Sequence, residues 1–197
     1  MKKIIFASKN KGKIEEVKYI LKDLDIQIIS LLDINESIDI EETGTTFEEN
    51  AFLKAKQVYN KFKIPTIADD SGLVVEQLNG APGVYSARYA GENGDDKENN
   101  KKLLKELQNF PEPHHAKFVC AAIYYNGKNT VKAFGEIKGR IIDEERGKNG
   151  FGYDPLFIPY GYSVTTAQLH SATKNSISHR FRAFNELKNL LNEKFSG

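Results

Sequence analysis

The chain has 197 residues, of which 40% are hydrophobic and 28% are charged. This length allows a substantial core, and we expect a single domain over residues 1–197, built as one body or as two closely merged lobes. The 28 basic residues balance 27 acidic ones, for a formal net charge of +1. A nearly neutral protein has no overall electrostatic field that would attract it to nucleic acid or to an anionic membrane.

A single cysteine, Cys120, excludes an internal disulfide and a multi-cysteine zinc site. It lies in the apolar run KFVCAAIYY, which predicts a small buried side chain. The apolar stretch after Met1 is too short for a signal peptide, and no run approaches the length of a membrane span. We expect a cytoplasmic protein.

The first half of the chain alternates strand and helix patterns. Strands are predicted at 2–8, 26–30 and 66–69. A helix with apolar residues from Ile14 to Leu24 follows the first strand and a polar loop. Thr45 and Thr46 each precede a glutamate by three residues, a double capping-box signal for a second helix that Pro65 ends.

The second half contains a predicted helix around 95–109 and a hairpin at Asn126-Gly127. A glycine-rich loop, a brief strand LFIP and a final helix over roughly 178–195 follow. Helices and strands interleave at both ends with a hairpin between them, which favours an α/β fold with a mixed sheet. The histidines outside the last helix show no metal-ligand spacing and are predicted to be surface residues: His114, His115 and His170.

The segment SKNKGK, residues 8–13, offers backbone N–H groups, a helix N-terminus and three lysines. That combination suits phosphate groups, although it is not a Walker A loop. The alternative is a solvated turn.

The stretch IADDSGL places two carboxylates, Asp69 and Asp70, at the end of an apolar run. Side chains alternate in a strand, so only one of them can face a given pocket squarely. A hard cation such as Mg²⁺ needs one or two carboxylates plus phosphate oxygens, and Glu42 of IEETGTT would be the second. The alternatives are turn capping for the aspartates and a helix-capping acidic loop for Glu42.

Two later segments suit recognition of a base. NGFGYDP places Phe151, Tyr153 and Asp154 among glycines, which fits a stacking surface beside a hydrogen-bond acceptor. The alternative is a turn whose aromatic rings lie in the core. KNSISHR puts His179 and Arg180 at a helix N-terminus, where cations are unfavourable, and this suggests a use for them. The alternative is that both are solvated residues of the first helical turn.

Together these segments resemble one enzyme family. SKNKGK, EETGTTFEENAFLKAK, IADDSGLVVEQLNGAPGVYSARYAG, GFGYDP and SISHR occur in the order seen in the inosine/xanthosine triphosphate pyrophosphatases, also called dITP/XTP pyrophosphatases. The resemblance runs from residue 3 to about 190. It implies an α/β fold with an elongated mixed β-sheet flanked by helices, in two lobes around a central nucleotide cleft. It also implies a homodimer that uses Mg²⁺ to convert ITP, dITP and XTP to the monophosphate and pyrophosphate.

The resemblance also assigns roles by position. Asp70 matches the presumed catalytic base and, with Glu42, the metal ligands; Asp69 is predicted with them, in direct contact or through water. The matching substrate-binding residues are Ser8, Lys9, Asn10, Lys11, Gly12, Lys13, Ser71, Phe151, Gly152, Tyr153, Asp154, Lys174, His179 and Arg180. Lys54 is predicted with them because of its positive charge. One departure is Gln168, where many relatives carry glutamate.

The implied reaction agrees with the chemistry of these residues. Lys13, Lys54 and Mg²⁺ are the expected counter-charges for a triphosphate, and Asp70 could take a proton from water attacking the α-phosphorus. Donors at Lys174, His179 or Arg180 would pair with the O6 atom of hypoxanthine and stay unpaired against adenine. Guanine also carries O6, so its exclusion is implied only by the resemblance.

Three alternative functions compete with this interpretation. A pyrophosphatase for pyrimidine or modified nucleotides would use the same phosphate chemistry. A nucleotide-binding sensor could dispense with the carboxylates, yet Glu42, Asp69 and Asp70 are all present. A nucleic-acid-binding module is disfavoured by the near-zero net charge.

Overall fold

The computed structural model describes residues 2–34, 36, 38–91 and 94–195. Its strands are β1 (Lys2–Phe6), β2 (Ile26–Ser30), β3 (Thr66–Val75), β4 (His114–Tyr125), β5 (Thr130–Ile141) and β6 (Phe157–Pro159). Its helices are α1 (Lys11–Ile20), α2 (Phe47–Phe62), α3 (Asp96–Leu107), α4 (Ser171–Ile177) and α5 (His179–Phe195).

The six described strands form one sheet in the order β2-β1-β3-β4-β5-β6. Strand β1 pairs in parallel with both β2 and β3, whereas β5 pairs antiparallel with β6. The predicted mixed sheet with flanking helices is therefore confirmed. The predicted Asn126-Gly127 turn joins β4 to β5, and the backbone N–H of Asn126 donates to the carbonyl of Asn129 at 3.2 Å.

The chain divides into two compact units. The first, called unit 1 below, comprises residues 1–70, 120–135 and 179–197; the second, unit 2, comprises 71–119 and 136–178. Strands β3, β4 and β5 each contribute residues to both units. The single domain over residues 1–197 stays a prediction.

Each unit has its own apolar core. In unit 1, α1 and α5 bury Val17 and Phe184 against Phe6 of β1 and Ile67 of β3. The rings of Phe6 and Phe184 meet edge to face, with centroids 5.8 Å apart. In unit 2, a separate cluster includes Leu73, Leu103, Phe118, Leu156 and Phe157.

Helix α2 begins at a capping box. The Thr46 hydroxyl accepts from the Glu49 N–H at 3.1 Å, and the Glu49 carboxylate accepts from the Thr46 N–H at 3.2 Å. The second predicted box is wrong: Thr45 also donates to Glu49, while Glu48 forms an ion pair with Lys132. One carboxylate thus holds both threonines at the start of the helix.

Three sequence predictions need correction. Strand β3 does not end at the aspartates but continues to Val75, so both lie within a strand. A short helix, α4, precedes the predicted final helix. His114 is not a surface residue: it is buried on β4, with its Nδ1 2.8 Å from Gln77 Oε1. His115 and His170 are exposed, as predicted.

Among the residues that the structure describes, no helix has the length and apolarity needed to cross a membrane.

The Phe6–Phe184 contact predicts a large loss of stability on truncation. Phe184 is fully buried, so Phe184→Ala should lower the free energy of unfolding by about 3–5 kcal/mol, measured by urea denaturation. Phe134→Ala is the matched control, because Phe134 is 49% exposed on β5 and should cost within about 0.5 kcal/mol. Equal losses in the two variants would contradict the assigned core.

Candidate functional site

Strand β3 carries Asp69 and Asp70 to different partners. Asp69 contacts Lys13 and Arg180, whereas Asp70 contacts Lys54 and Asn50. The predicted alternation is confirmed, because neighbouring side chains in a strand point to opposite faces. Both carboxylates are buried and each has a cationic partner from the chain itself, which offsets the cost of burying two adjacent negative charges.

The Asp69 carboxylate belongs to a chain of buried charges in unit 1. Its Oδ2 lies 3.1 Å from Lys13 Nζ and 3.3 Å from Arg180 Nε, and Arg180 Nη1 lies 2.5 Å from Glu16 Oε2. Burial alone would raise the pKa of Asp69, but the charges of Lys13 and Arg180 hold that pKa well below its usual range. This lowered pKa favours the ionised form of Asp69 at neutral pH.

The Asp70 carboxylate shares a lysine with Glu42. Lys54 Nζ lies 2.9 Å from Asp70 Oδ1 and 3.0 Å from Glu42 Oε2, and Asn50 Nδ2 donates to Asp70 Oδ2 at 3.3 Å. Burial raises the pKa of Asp70 although the charge of Lys54 opposes the shift. A buried carboxylate with a raised pKa has the character of a general base.

The carboxylates of Glu42 and Asp70 both contact the Lys54 ammonium group, and this arrangement shows what kind of cation they could hold. Two carboxylates that already surround one positive charge suit Mg²⁺, which takes one or two protein carboxylates and completes its shell with water and phosphate oxygens. Among the described residues, no cluster of three or more His, Cys, Asp or Glu side chains could hold a metal. The donor set therefore fits a cation bound together with a phosphate ligand.

The predicted phosphate-binding segment, residues 8–13, spans the loop before α1 and the first residues of that helix. The Asn10 side chain accepts from the Lys13 N–H at 3.0 Å and caps the helix, while the Ser8 hydroxyl accepts from the Asn10 N–H at 3.2 Å. Lys9 and Lys11 are exposed, and Lys13 turns toward Asp69. This segment therefore brings one lysine, Lys13, to Asp69 of β3 and leaves the other two at the surface.

In unit 2, Asp154 organises the glycine-rich loop. Its Oδ2 accepts from Lys174 Nζ at 2.7 Å and from the Phe151 N–H at 2.9 Å, and its Oδ1 accepts from the Thr166 hydroxyl at 2.9 Å. Lys174 Nζ also lies 4.8 Å from the centroid of the Phe151 ring, within cation–π range. The structure thus brings Lys174 into contact with Phe151 and Asp154, three residues that the family resemblance assigns to base binding.

The other loop residues differ in exposure. The expectation of an exposed aromatic fails for Tyr153, which is buried and donates its hydroxyl to the Ser86 carbonyl at 2.9 Å. Phe151 is half-buried, and the Gly152 N–H donates to Asp96 at 2.7 Å. Gln168 accepts from the Thr165 N–H at 3.0 Å, so this neutral side chain caps a 3₁₀ turn.

The remaining predicted residues lie on β3 and α5. Ser71 is half-exposed on β3, and His179 begins α5 beside the buried Arg180. Cys120 is buried as predicted, with its Sγ 4.0 Å from Asp69 Oδ2, and burial raises the pKa of its thiol.

Sequence reasoning missed Glu16, Asn50 and Thr166. Glu16 lies three residues after Lys13 on α1, and Asn50 lies four residues before Lys54 on α2. Helical spacing of three or four residues from a predicted site lysine was the available signal. No signal in the sequence pointed to Thr166, because its contact with Asp154 depends on how the loops fold.

Comparison with known proteins agrees with this architecture. Residues 4–190 match the model of the Ham1 family. A dITP/XTP pyrophosphatase of Oceanobacillus iheyensis is 54% identical, over 97% of this chain and 98% of that protein. A dITP/XTP pyrophosphatase of Bacillus licheniformis is 49% identical, over 98% of this chain and 100% of that protein.

Solved structures give the same relationship. The Staphylococcus aureus Ham1 protein superposes with a TM-score of 0.88 at 44% identity, and a HAM1 protein from Coxiella burnetii with a TM-score of 0.90 at 41% identity. Each comparison covers 98% of this chain and 100% of the other. With a family model over almost its whole length and close relatives of the same size, this chain belongs to the Ham1 family.

Proposed function

We propose that this protein is a nucleoside triphosphate pyrophosphatase that removes ITP, dITP and XTP from the nucleotide pool. It hydrolyses them with Mg²⁺ to the monophosphate and pyrophosphate. The observation that carries the proposal is the convergence of Glu42 and Asp70 on Lys54, in a family with relatives named dITP/XTP pyrophosphatases. Because these substrates belong to the free nucleotide pool, the proposed location of the protein is the cytoplasm. The homodimer stays a prediction.

In the proposed reaction, Asp70 takes a proton from a water molecule whose oxygen attacks the α-phosphorus. The bond from the α-phosphorus to the bridging oxygen breaks, and pyrophosphate leaves. The raised pKa of Asp70 supports this role, because a base with a higher pKa accepts a proton more readily. Lys13 and Lys54 supply positive charge to the phosphates.

Glu42 and Asp70 are the proposed metal ligands. When bound there, Mg²⁺ would neutralise charge on the triphosphate and on the leaving pyrophosphate. Asp69 stays a predicted ligand, but its ion pairs with Lys13 and Arg180 support a second role, in which it holds Lys13 for the substrate. The phosphate contacts proposed for the residues from Ser8 to Lys13 rest on the helix N-terminus and its adjoining lysines.

Selection of the base is proposed to depend on hydrogen-bond donors. Lys174, His179 and Arg180 would supply donors to O6, which hypoxanthine and xanthine carry and adenine lacks. Phe151 would offer a ring for stacking, supported by its half-exposed position and the nearby Lys174 ammonium. Ser71, Gly152, Tyr153 and Asp154 stay predicted contacts. A donor left unpaired against the wrong base gives strong discrimination.

The first experiment compares pyrophosphate release from ITP, XTP, ATP and TTP, each with Mg²⁺ and with EDTA. We expect rapid release from ITP and XTP that requires Mg²⁺, and slow release from ATP and TTP. Equal rates on ATP would contradict the proposed base selection but not the metal chemistry. Tight ITP binding without release would favour a nucleotide sensor, and preferred TTP would favour a pyrimidine substrate.

The role of Asp70 has a direct test. Asp70→Asn keeps the size of the side chain but removes its basicity, so kcat on ITP should fall by about 10²–10⁴-fold. Asp25→Asn, at an exposed position, should leave kcat unchanged. Circular dichroism establishes that both variants are folded. Near-wild-type turnover in folded Asp70→Asn would remove Asp70 from the mechanism.

Arg180 also has described contacts that can be tested. Arg180 is buried between Asp69 and Glu16, so Arg180→Met removes the described cation of the buried Glu16 carboxylate and leaves Lys13 beside Asp69. We expect the free energy of unfolding to fall by about 3–5 kcal/mol in urea denaturation. Arg140→Met changes an exposed arginine of β5 and should cost within about 0.5 kcal/mol. Unchanged stability in Arg180→Met would refute the structural role of this arginine.

A further inference from the structure

The side chain of Asn50 is fixed at both ends. Asn50 is fully buried in the first turn of α2. Its Oδ1 accepts from the Gly44 N–H at 2.8 Å, and its Nδ2 donates to Asp70 Oδ2 at 3.3 Å. Exchanging the amide oxygen and nitrogen would set a donor against a donor and an oxygen against a carboxylate. The orientation of the amide is therefore determined by its partners.

These two hydrogen bonds join the segments that carry the proposed metal ligands. Gly44 lies two residues after Glu42 in the loop before α2, and Asp70 lies on β3. Lys54, one helical turn after Asn50, contacts both carboxylates. Consequently, Lys54 holds one oxygen of Asp70 and Asn50 holds the other, which fixes the rotation of the carboxylate plane.

The loop can reach Asn50 only because residue 44 is glycine. A Cβ at Gly44 would lie 2.6 Å from Glu49 Cβ, 2.8 Å from Asn50 Oδ1 and 3.0 Å from Asn50 N. Real Cβ atoms essentially never approach another atom at the shortest of these distances. Gly44 and Asn50 therefore form one close contact between the Glu42 loop and the helix.

We propose that Asn50 is a positioning residue for the reaction. It orients the Asp70 carboxylate and links the loop that carries Glu42 to Asp70. This inference rests on the proposed function. A neutral amide suits the position, because it can donate to Asp70 without adding the negative charge that a carboxylate would bring. Groups that orient catalytic or metal-binding carboxylates typically change activity or metal affinity 10–100-fold when removed.

The test separates the two hydrogen bonds of Asn50. Asn50→Ala removes both, whereas Asn50→Asp keeps an acceptor for the Gly44 N–H but replaces the donor to Asp70 with a second negative charge. We expect both variants to lower kcat on ITP about 10–100-fold, with KM for ITP changed less than about threefold. Mn²⁺ binding, measured by calorimetry with inosine monophosphate present to supply the phosphate ligand, should weaken about tenfold or more in Asn50→Ala.

Gln57→Ala is the matched control. Gln57 is an amide of the same helix that holds the same loop through the backbone of Glu41, at 3.1 and 2.9 Å. Its described hydrogen bonds are to Glu41 and Leu53. Its removal should therefore change kcat less than about threefold, and thermal melts would compare the stability of all variants.

Each outcome decides between the possibilities. Wild-type kcat in Asn50→Asp, or an equal loss in Gln57→Ala, would mean that Asn50 only anchors the loop, and the inference would be wrong. If Asn50→Ala does not fold, Asn50→Asp carries the decision. A folded wild-type protein that does not hydrolyse ITP would overturn the proposed function itself, and this inference with it.

Discussion

The site in unit 1 depends on two adjacent carboxylates inside a strand. The alternation of β3 sends Asp69 and Asp70 to opposite faces, and each then needs positive charge in a buried setting. Lys13 and Arg180 meet Asp69, and Lys54 meets Asp70. The start of α1, the start of α5 and the middle of α2 are thereby tied to one strand.

The two faces have different electrostatic consequences. Two cations and a short buried ion chain keep the pKa of Asp69 low, which suits a permanently charged anchor. Asp70 shares its single described cation with Glu42, and burial raises its pKa. The adjacent residues Asp69 and Asp70 thus differ in chemical character, and of the two only Asp70 has the raised pKa expected of a base.

Helix α2 provides several of the contacts that hold Asp70 and the loop before the helix in place. Its capping box fixes the end of the preceding loop, and Asn50 and Lys54 lie one turn apart on the face toward Asp70. In unit 2, Asp154 plays a comparable organising part, since one carboxylate holds Lys174, Thr166 and a loop N–H. In both units a buried acid fixes the segments that bring functional side chains together.

Local patterns in the sequence were enough to predict most strands and helices, the hairpin, the capping box at Thr46 and the divergence of Asp69 and Asp70, because each depends on near neighbours in the chain. Motif order was enough to predict the family. Tertiary structure alone decided the pairing of Arg180 with Asp69 and Glu16, the burial of Tyr153 and His114, and the link from Gly44 through Asn50 to Asp70. These contacts join residues from separate elements, and periodicity within one element carries no information about which distant side chain will meet it.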